Sequence, residues 1–216
     1  MWPFTHLAIG YLLYTAYTHG RFRRPPYQFA AVLVLIGTQF ADLIDKPLAL
    51  VGIVASGRSL GHSYLVVIPV VVLVGGFLYW RLDTSDYAVA FGLSYLSAPI
   101  ADGAQLFLQG DLATDIREVS FWVWPLNAPA ERIVEHLQVT PTVKYAITHK
   151  AEWTAENIPV GEDLKFWIRL FEVSVTLLAI GVWMYDGFPG GEVLREVAGS
   201  ARQRVSAAGR QDNERR

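Results

Sequence analysis

A long run of apolar residues occupies positions 63–80, and it contains no Asp, Glu, Lys or Arg. Roughly 20 helical residues cross the hydrocarbon core of a bilayer, so this run predicts a membrane-spanning helix. Tyr79 and Trp80 stand at its end, before Arg81, as expected of aromatic side chains at the headgroup level. Pro69 lies within the run, and membrane helices tolerate proline.

Four further stretches are apolar with few polar interruptions: 4–17, 27–44, 87–108 and 167–185. Arg169 and Glu172, near the start of the last stretch, are spaced i,i+3 and can neutralise each other on one helix face. The pattern therefore predicts an all-α fold, a polytopic membrane protein with about five transmembrane helices.

The composition agrees with a protein embedded in the lipid bilayer. Hydrophobic residues make up 52% of the 216 positions and charged residues only 18%, against about 25% charged in typical soluble domains. A formal net charge of -2 gives no electrostatic case for binding nucleic acid. The chain contains no cysteine, which excludes disulfides, thiolate nucleophiles and iron–sulfur clusters. Any chemistry must therefore use His, Asp, Glu and Arg.

Positive charges predict the orientation in the plasma membrane. Arg21, Arg23 and Arg24 follow the first apolar stretch, and basic loops stay in the cytoplasm. Counting spans from there places the N-terminus outside and the arginine-rich C-terminus in the cytoplasm. We expect a helical membrane domain over 1–186 and a polar, partly disordered cytoplasmic tail over 187–216.

Residues 110–164 are predicted to form an extramembrane or interfacial insertion in this domain. Aromatic residues at 121–124 favour the headgroup level, and short helices are predicted over 130–139 and 151–157.

Five ionisable residues occupy positions that a membrane helix usually leaves apolar: His6, Asp42, Asp45, His62 and Asp102. In an alternating bundle, the start of the first helix, the end of the second, the start of the third and the end of the fourth lie at the same side. All five should therefore gather at one membrane face. Imidazoles and carboxylates together suit a divalent ion, with zinc or manganese the expected metals.

Structural roles for the same residues stay open. His6 can be an ordinary interfacial residue, and His62 with Ser63 can form a helix cap. Asp42 and Asp45 can cap a helix or pair with Lys46 and Arg58, and Asp102 can balance Arg58. Alternatively, Arg58 can hold a phosphate or stabilise developing negative charge.

The motifs around these residues resemble a known family. They are THLAIG at 5–10, GTQFADLID at 37–45, RSLGHS at 58–63 and GLSYLSAPIAD at 92–102. In this order they are similar to the membrane-bound metal-dependent hydrolases, the YdjM-like, LexA-binding inner-membrane proteins, and most similar to archaeal members. The family pattern has an N-terminal His, a pair of Asp residues, Arg-x-x-x-His-Ser, and His-x-x-x-Asp.

The resemblance implies that His6, Asp42, His62 and Asp102 are metal ligands. Asp45 would be a further ligand or would orient a histidine. Two positions depart from the pattern: Ala98 replaces the His of His-x-x-x-Asp, and Ala41 replaces the proline common before the acidic pair. The first departure removes one expected ligand.

Two functions follow from these expectations. The first is a hydrolase whose metal-bound water attacks an ester or phosphoester, for instance of a lipid or another amphiphile, at the extracytoplasmic face. Asp45 would accept a proton and Arg58 would stabilise negative charge. The second is a non-catalytic scaffold or interaction protein in which the same residues form a buried ion-pair network. An ion transporter is a third possibility, but its charges would be expected near the midplane.

Overall fold

The computed structural model describes residues 2–54, 57–109, 120–126, 162–196 and 198–200. Within these ranges the long helices are α1 (Pro3–Phe22), α2 (Gln28–Leu50), α3 (Tyr64–Leu82), α4 (Ser85–Gln109) and α5 (Glu162–Tyr185), with a 3-10 helix at Ser120–Val123. No strand occurs in the described ranges, and the predicted all-α fold is confirmed. The short helices predicted over 130–139 and 151–157 lie outside the described residues, as does most of the predicted tail.

Three helices of the described part are long and apolar enough to cross a membrane: α2, α3 and the 166–185 part of α5. In α3 most side chains point away from the protein, with Val72 65% and Leu73 71% exposed. Such an apolar outer surface is stable in lipid and costly in water. A membrane protein is therefore supported, whereas the count of five spans stays a prediction.

The helix ends explain where the sequence pattern is interrupted. Pro3 begins α1, a position whose N–H would have no partner within the helix. Ser63 caps α3 by accepting a hydrogen bond from the Leu65 N–H. The second apolar stretch was predicted over 27–44, but α2 extends further. It continues through Pro47 and ends at Leu50. Asp42 and Asp45 therefore lie on the last turns of this helix.

Helix α4 lies at the centre of the bundle and packs against α1, α2 and α3. Small residues allow the close approach of α2 and α4: a Cβ on Gly37 would lie 2.8 Å from the Phe91 carbonyl oxygen. Close packing of this kind holds helices together in lipid, where the hydrophobic effect between helices is absent. The rigid centre of the bundle thus fixes the relative positions of the four helix ends that carry the predicted site.

Helix α5 packs on α1 and runs parallel to it. At one end of the pair the Arg169 guanidinium lies 4.7 Å from the centre of the Trp2 ring. At the other end Asp186, just after α5, accepts hydrogen bonds from Tyr11 (2.6 Å) and Thr15 (2.7 Å). The end of the bundle with Trp2 also carries His6, and we call it the site end.

Candidate functional site

The five ionisable residues singled out in the sequence lie together at the site end, and we call them the His/Asp cluster. His6 Nε2 is 3.2 Å from Asp102 Oδ1, and His62 Nε2 is 3.3 Å from Asp102 Oδ2. His62 Nε2 is also 4.0 Å from Asp42 Oδ1. The cluster thus joins α1, α2, α4 and the turn before α3.

Asp45 is held by several hydrogen bonds from the turn before α3. Its side chain is fully buried and accepts hydrogen bonds from the backbone N–H groups of Ser59 (2.8 Å) and Gly61 (2.7 Å). The Ser59 hydroxyl (3.3 Å) and His62 Nδ1 (2.8 Å) complete the set. Backbone amides favour the ionised carboxylate, so Asp45 anchors the turn that presents His62.

Glycine at position 61 is needed because this turn lies directly on α2. A Cβ on Gly61 would lie 2.5 Å from the carbonyl oxygen of Ala41. On the other side, the Tyr95 hydroxyl donates to the Gly61 carbonyl oxygen at 3.0 Å. The turn is therefore fixed between α2 and α4.

The orientation of His62 follows from its bond to Asp45. With Nδ1 directed at Asp45, Nε2 faces the carboxylates of Asp42 and Asp102. A histidine that ligates a metal has its second ring nitrogen held by a carboxylate in the same way. Burial lowers the pKa of His62, but Asp102 and Asp45 raise it more, so the net pKa lies above its usual value.

Two basic side chains also contact the cluster, as the ion-pair interpretation of the sequence expected. The Arg58 guanidinium donates to Asp102 through Nε at 2.9 Å and Nη2 at 3.5 Å. Lys46 Nζ lies 2.5 Å from Asp42 Oδ2, one helical turn away. The carboxylates of Asp42 and Asp102 thus each face His62 and one positively charged side chain, Lys46 for Asp42 and Arg58 for Asp102.

The sequence did not indicate which residues cover the cluster. Phe121 is buried with its ring edge-on to His62, the ring centres being 6.0 Å apart. The Trp122 indole N–H donates to the Pro99 carbonyl oxygen at 3.0 Å, and its ring lies against Gly103. The aromatic run at 121–124 was the feature of the sequence that could have indicated this cover. Two of its side chains, Phe121 and Trp122, pack on His62 and on α4 respectively.

The donor chemistry of the cluster suits a divalent cation, although the arrangement is not a closed metal cage. In the described part of the chain, no group of three or more His, Asp or Glu side chains is placed so as to hold a metal ion. The N···O separations of 3.2 and 3.3 Å nevertheless match neighbouring ligands of one ion, about 3.3 Å for tetrahedral zinc. Two of the four candidate ligands, Asp42 and Asp102, are paired with Lys46 and Arg58 respectively.

The family-model comparison matches residues 1–128, which include every motif of the cluster, to the YdjM inner membrane protein family. The chain belongs to the YdjM inner membrane protein family. No curated protein and no solved structure matches it significantly. Membership of the YdjM family confirms the resemblance and supports a membrane location, whereas hydrolysis, an archaeal affinity and the orientation of the termini stay predictions.

Ala98 is the position where the sequence departs most clearly from the family pattern, which has a histidine there. It is buried one helical turn before Asp102 on α4, and a methyl group stands where a histidine would face the cluster. His6 keeps one unsatisfied atom, because its buried Nδ1 has no hydrogen-bond partner among the described residues.

Proposed function

We propose that the protein is a membrane-bound metal-dependent hydrolase acting on an ester or phosphoester of an amphiphilic substrate. His6, Asp42, His62 and Asp102 would hold a divalent ion, zinc or manganese, and the ion would supply a water of lowered pKa. The observation that carries the proposal is the contact between Asp45 and His62, with Nε2 of the ring directed at two further carboxylates.

Within this proposal Asp45 orients His62 and does not accept a proton from water. Its oxygens already accept hydrogen bonds from two backbone amides, a hydroxyl and the imidazole. A buried carboxylate in this role fixes the direction of the ring, and its loss weakens metal binding by about ten- to a hundredfold.

Arg58 provides the positive charge for the substrate. Its side chain is 31% exposed and donates to Asp102 through Nε. A guanidinium binds two phosphate oxygens in one plane and stabilises the negative charge that develops during hydrolysis. Phe121 and Trp122 would exclude water from the other side of His62.

The positive-inside pattern supports a site at the extracytoplasmic face, with the N-terminus outside and the C-terminus in the cytoplasm. A site at the end of a membrane bundle is open to molecules that lie in the bilayer with their polar groups at its surface. A lipid or another amphiphile is therefore the proposed substrate class.

Elemental analysis of the detergent-purified protein tests the proposal. The wild type should carry near-stoichiometric zinc or manganese that a chelator removes, and His62→Ala and Asp45→Asn should lose most of it. His19→Ala is the matched control, because His19 pairs with Asp186 at the opposite end of the bundle. Wild-type metal content in His62→Ala would contradict the proposal.

The scaffold alternative makes the opposite prediction for the same measurements. The cluster would then be an ion-pair network, the purified protein would contain no metal, and added zinc or manganese would leave the unfolding temperature unchanged.

A further inference from the structure

The inner residues of the His/Asp cluster have almost no accessible surface. The side chains of His62 and Asp45 are 1% and 0% exposed. Those of His6 and Asp102 are each 4% exposed, and Asp42, 18% exposed, lies at the rim. A substrate of the proposed hydrolase has to come within bonding distance of an ion held by these side chains, so part of the protein must move before the substrate can enter.

The helices that carry the cluster are packed too closely to provide this movement. A Cβ on Gly10 in α1 would lie 2.3 Å from a methyl carbon of Thr38 in α2. The turn that carries His62 is held between α2 and α4 through Gly61. Interiors packed this closely resist the displacement of one helix against another. The movement is therefore expected outside the packed core.

The segment 120–126 covers His62 from outside this core. Phe121 is the one buried side chain among residues 121–126, and its ring lies edge-on to His62. Val123 and Leu126, in contrast, are 48% and 75% exposed. The segment thus has a buried side over the cluster and an exposed outer side. Few buried apolar contacts are typical of segments that open locally while the rest of the protein stays folded.

Side-chain hydrogen bonds and one aromatic ring hold the segment in its closed position. The Trp122 indole N–H donates to the Pro99 carbonyl oxygen at 3.0 Å, and its ring fills the space that Gly103 leaves open. The Ser63 hydroxyl donates to the Trp124 carbonyl oxygen at 2.7 Å. Hydrogen bonds between neutral groups contribute little net stability, because each replaces a bond to water. These contacts define one closed position, and they can break without separating the helices.

We propose that residues 120–126 form a lid on the His/Asp cluster, which closes by seating the Trp122 ring against Gly103 and opens while the helices stay packed. The inference rests on the proposed function for what the lid does: open, it admits the substrate to the ion, and closed, it excludes bulk water. Its structural content is independent of hydrolysis. Groups beneath the lid become accessible by local opening and not by unfolding of the bundle.

A thiol placed beneath the lid measures this opening. The chain contains no cysteine, so Ser63→Cys introduces a single thiol at a fully buried position that contacts the segment and is not a proposed metal ligand. Ser85→Cys, at an exposed position at the start of α4, is the matched control. With a small charged methanethiosulfonate reagent in detergent solution, the Ser63→Cys thiol should react about a hundredfold more slowly than the Ser85→Cys thiol. Equal rates would overturn the proposal.

Three further substitutions in the Ser63→Cys chain distinguish local opening from global unfolding. Trp122→Ala removes the seated ring and its hydrogen bond, and it should speed the reaction about tenfold. Trp80→Ala removes a tryptophan that is 77% exposed on α3, and it should leave the rate unchanged. Asp186→Asn weakens the contact of α5 with α1 at the opposite end of the bundle, and it should also leave the rate unchanged. No acceleration by Trp122→Ala, or an equal acceleration by Asp186→Asn, would overturn the lid.

A second reporter and the elemental analysis make the outcomes separable. If Ser63→Cys does not fold, Phe121→Cys replaces it, because this side chain is on the buried side of the segment and the same rates are expected. The labelling needs no bound ion. Slow labelling that Trp122→Ala accelerates, in a protein that contains no metal, would therefore remove the hydrolase and leave the lid.

Discussion

His62 Nδ1 lies 2.8 Å from Asp45 Oδ2, and neither side chain is more than 1% exposed. The two residues are separated by the end of α2 and a turn, yet they form the centre of the site end. This contact links the stability of the turn to the direction of the His62 ring.

Asp45→Ala should strongly destabilise the protein. The substitution leaves the amides of Ser59 and Gly61 and the His62 ring without an acceptor in a buried site. Removing one partner of a buried pair typically costs about 3–5 kcal/mol. Thermal unfolding in detergent measures the loss, with Asp83→Asn on the exposed end of α3 as the control. Equal unfolding temperatures for the two variants would refute the anchoring role of Asp45.

Gly61→Ala and Gly76→Ala should change stability in opposite directions. The new Cβ at position 61 would meet the Ala41 backbone at 2.5 Å, which cannot move as a side chain can. We expect a loss of about 1–3 kcal/mol, as for overpacking in a core. At Gly76, within α3, nothing lies within 4 Å, so alanine should stabilise the helix by about 0.5–1 kcal/mol. The free energies of unfolding of the two variants provide the comparison.

Gly103→Ala should displace the aromatic cover of the cluster. A Cβ there would lie 2.3 Å from the Trp122 ring, and the indole would have to leave the surface of α4. Hydrogen–deuterium exchange in residues 120–126 should then become faster, while exchange in α1 and α2 stays the same. Gly181→Ala has open space around it and serves as the control. Unchanged exchange at 120–126 would mean that other contacts hold this segment.

The contact between α1 and α5 should weaken in acid. Burial raises the pKa of Asp186, but hydrogen bonds from Tyr11, Thr15 and His19 lower it more, and the net pKa lies below its usual value. A carboxyl group with a lowered folded-state pKa stabilises the fold above its unfolded-state pKa, near 4, and loses this contribution as the pH falls through the folded-state pKa.

The matched variant for this acid sensitivity is Asp186→Asn. The wild type should unfold at a higher temperature than the variant at pH 6, and the difference should shrink below about pH 4. A difference that stays constant down to pH 2.5 would exclude ionised Asp186 as its source.

The sequence by itself determined the helices and the end at which their polar residues meet. Apolar runs and caps are local signals, so the all-α fold and the order of the helices follow from composition and spacing. The alternation of helix direction is enough to bring His6, Asp42, Asp45, His62 and Asp102 to one end. The exact end of α2 was missed, because Pro47 is accommodated within the helix.

Only the tertiary structure decided which atoms of these residues face one another. The backbone donors to Asp45 come from a turn 14–16 residues later, and the covering Phe121 comes from beyond α4. Likewise, the sequence paired Glu172 with Arg169, but the near-complete burial of the Glu172 side chain is seen only in the tertiary structure. Sequence periodicity fixes the face of a helix, whereas contacts between helices depend on the distances and rotations set by packing.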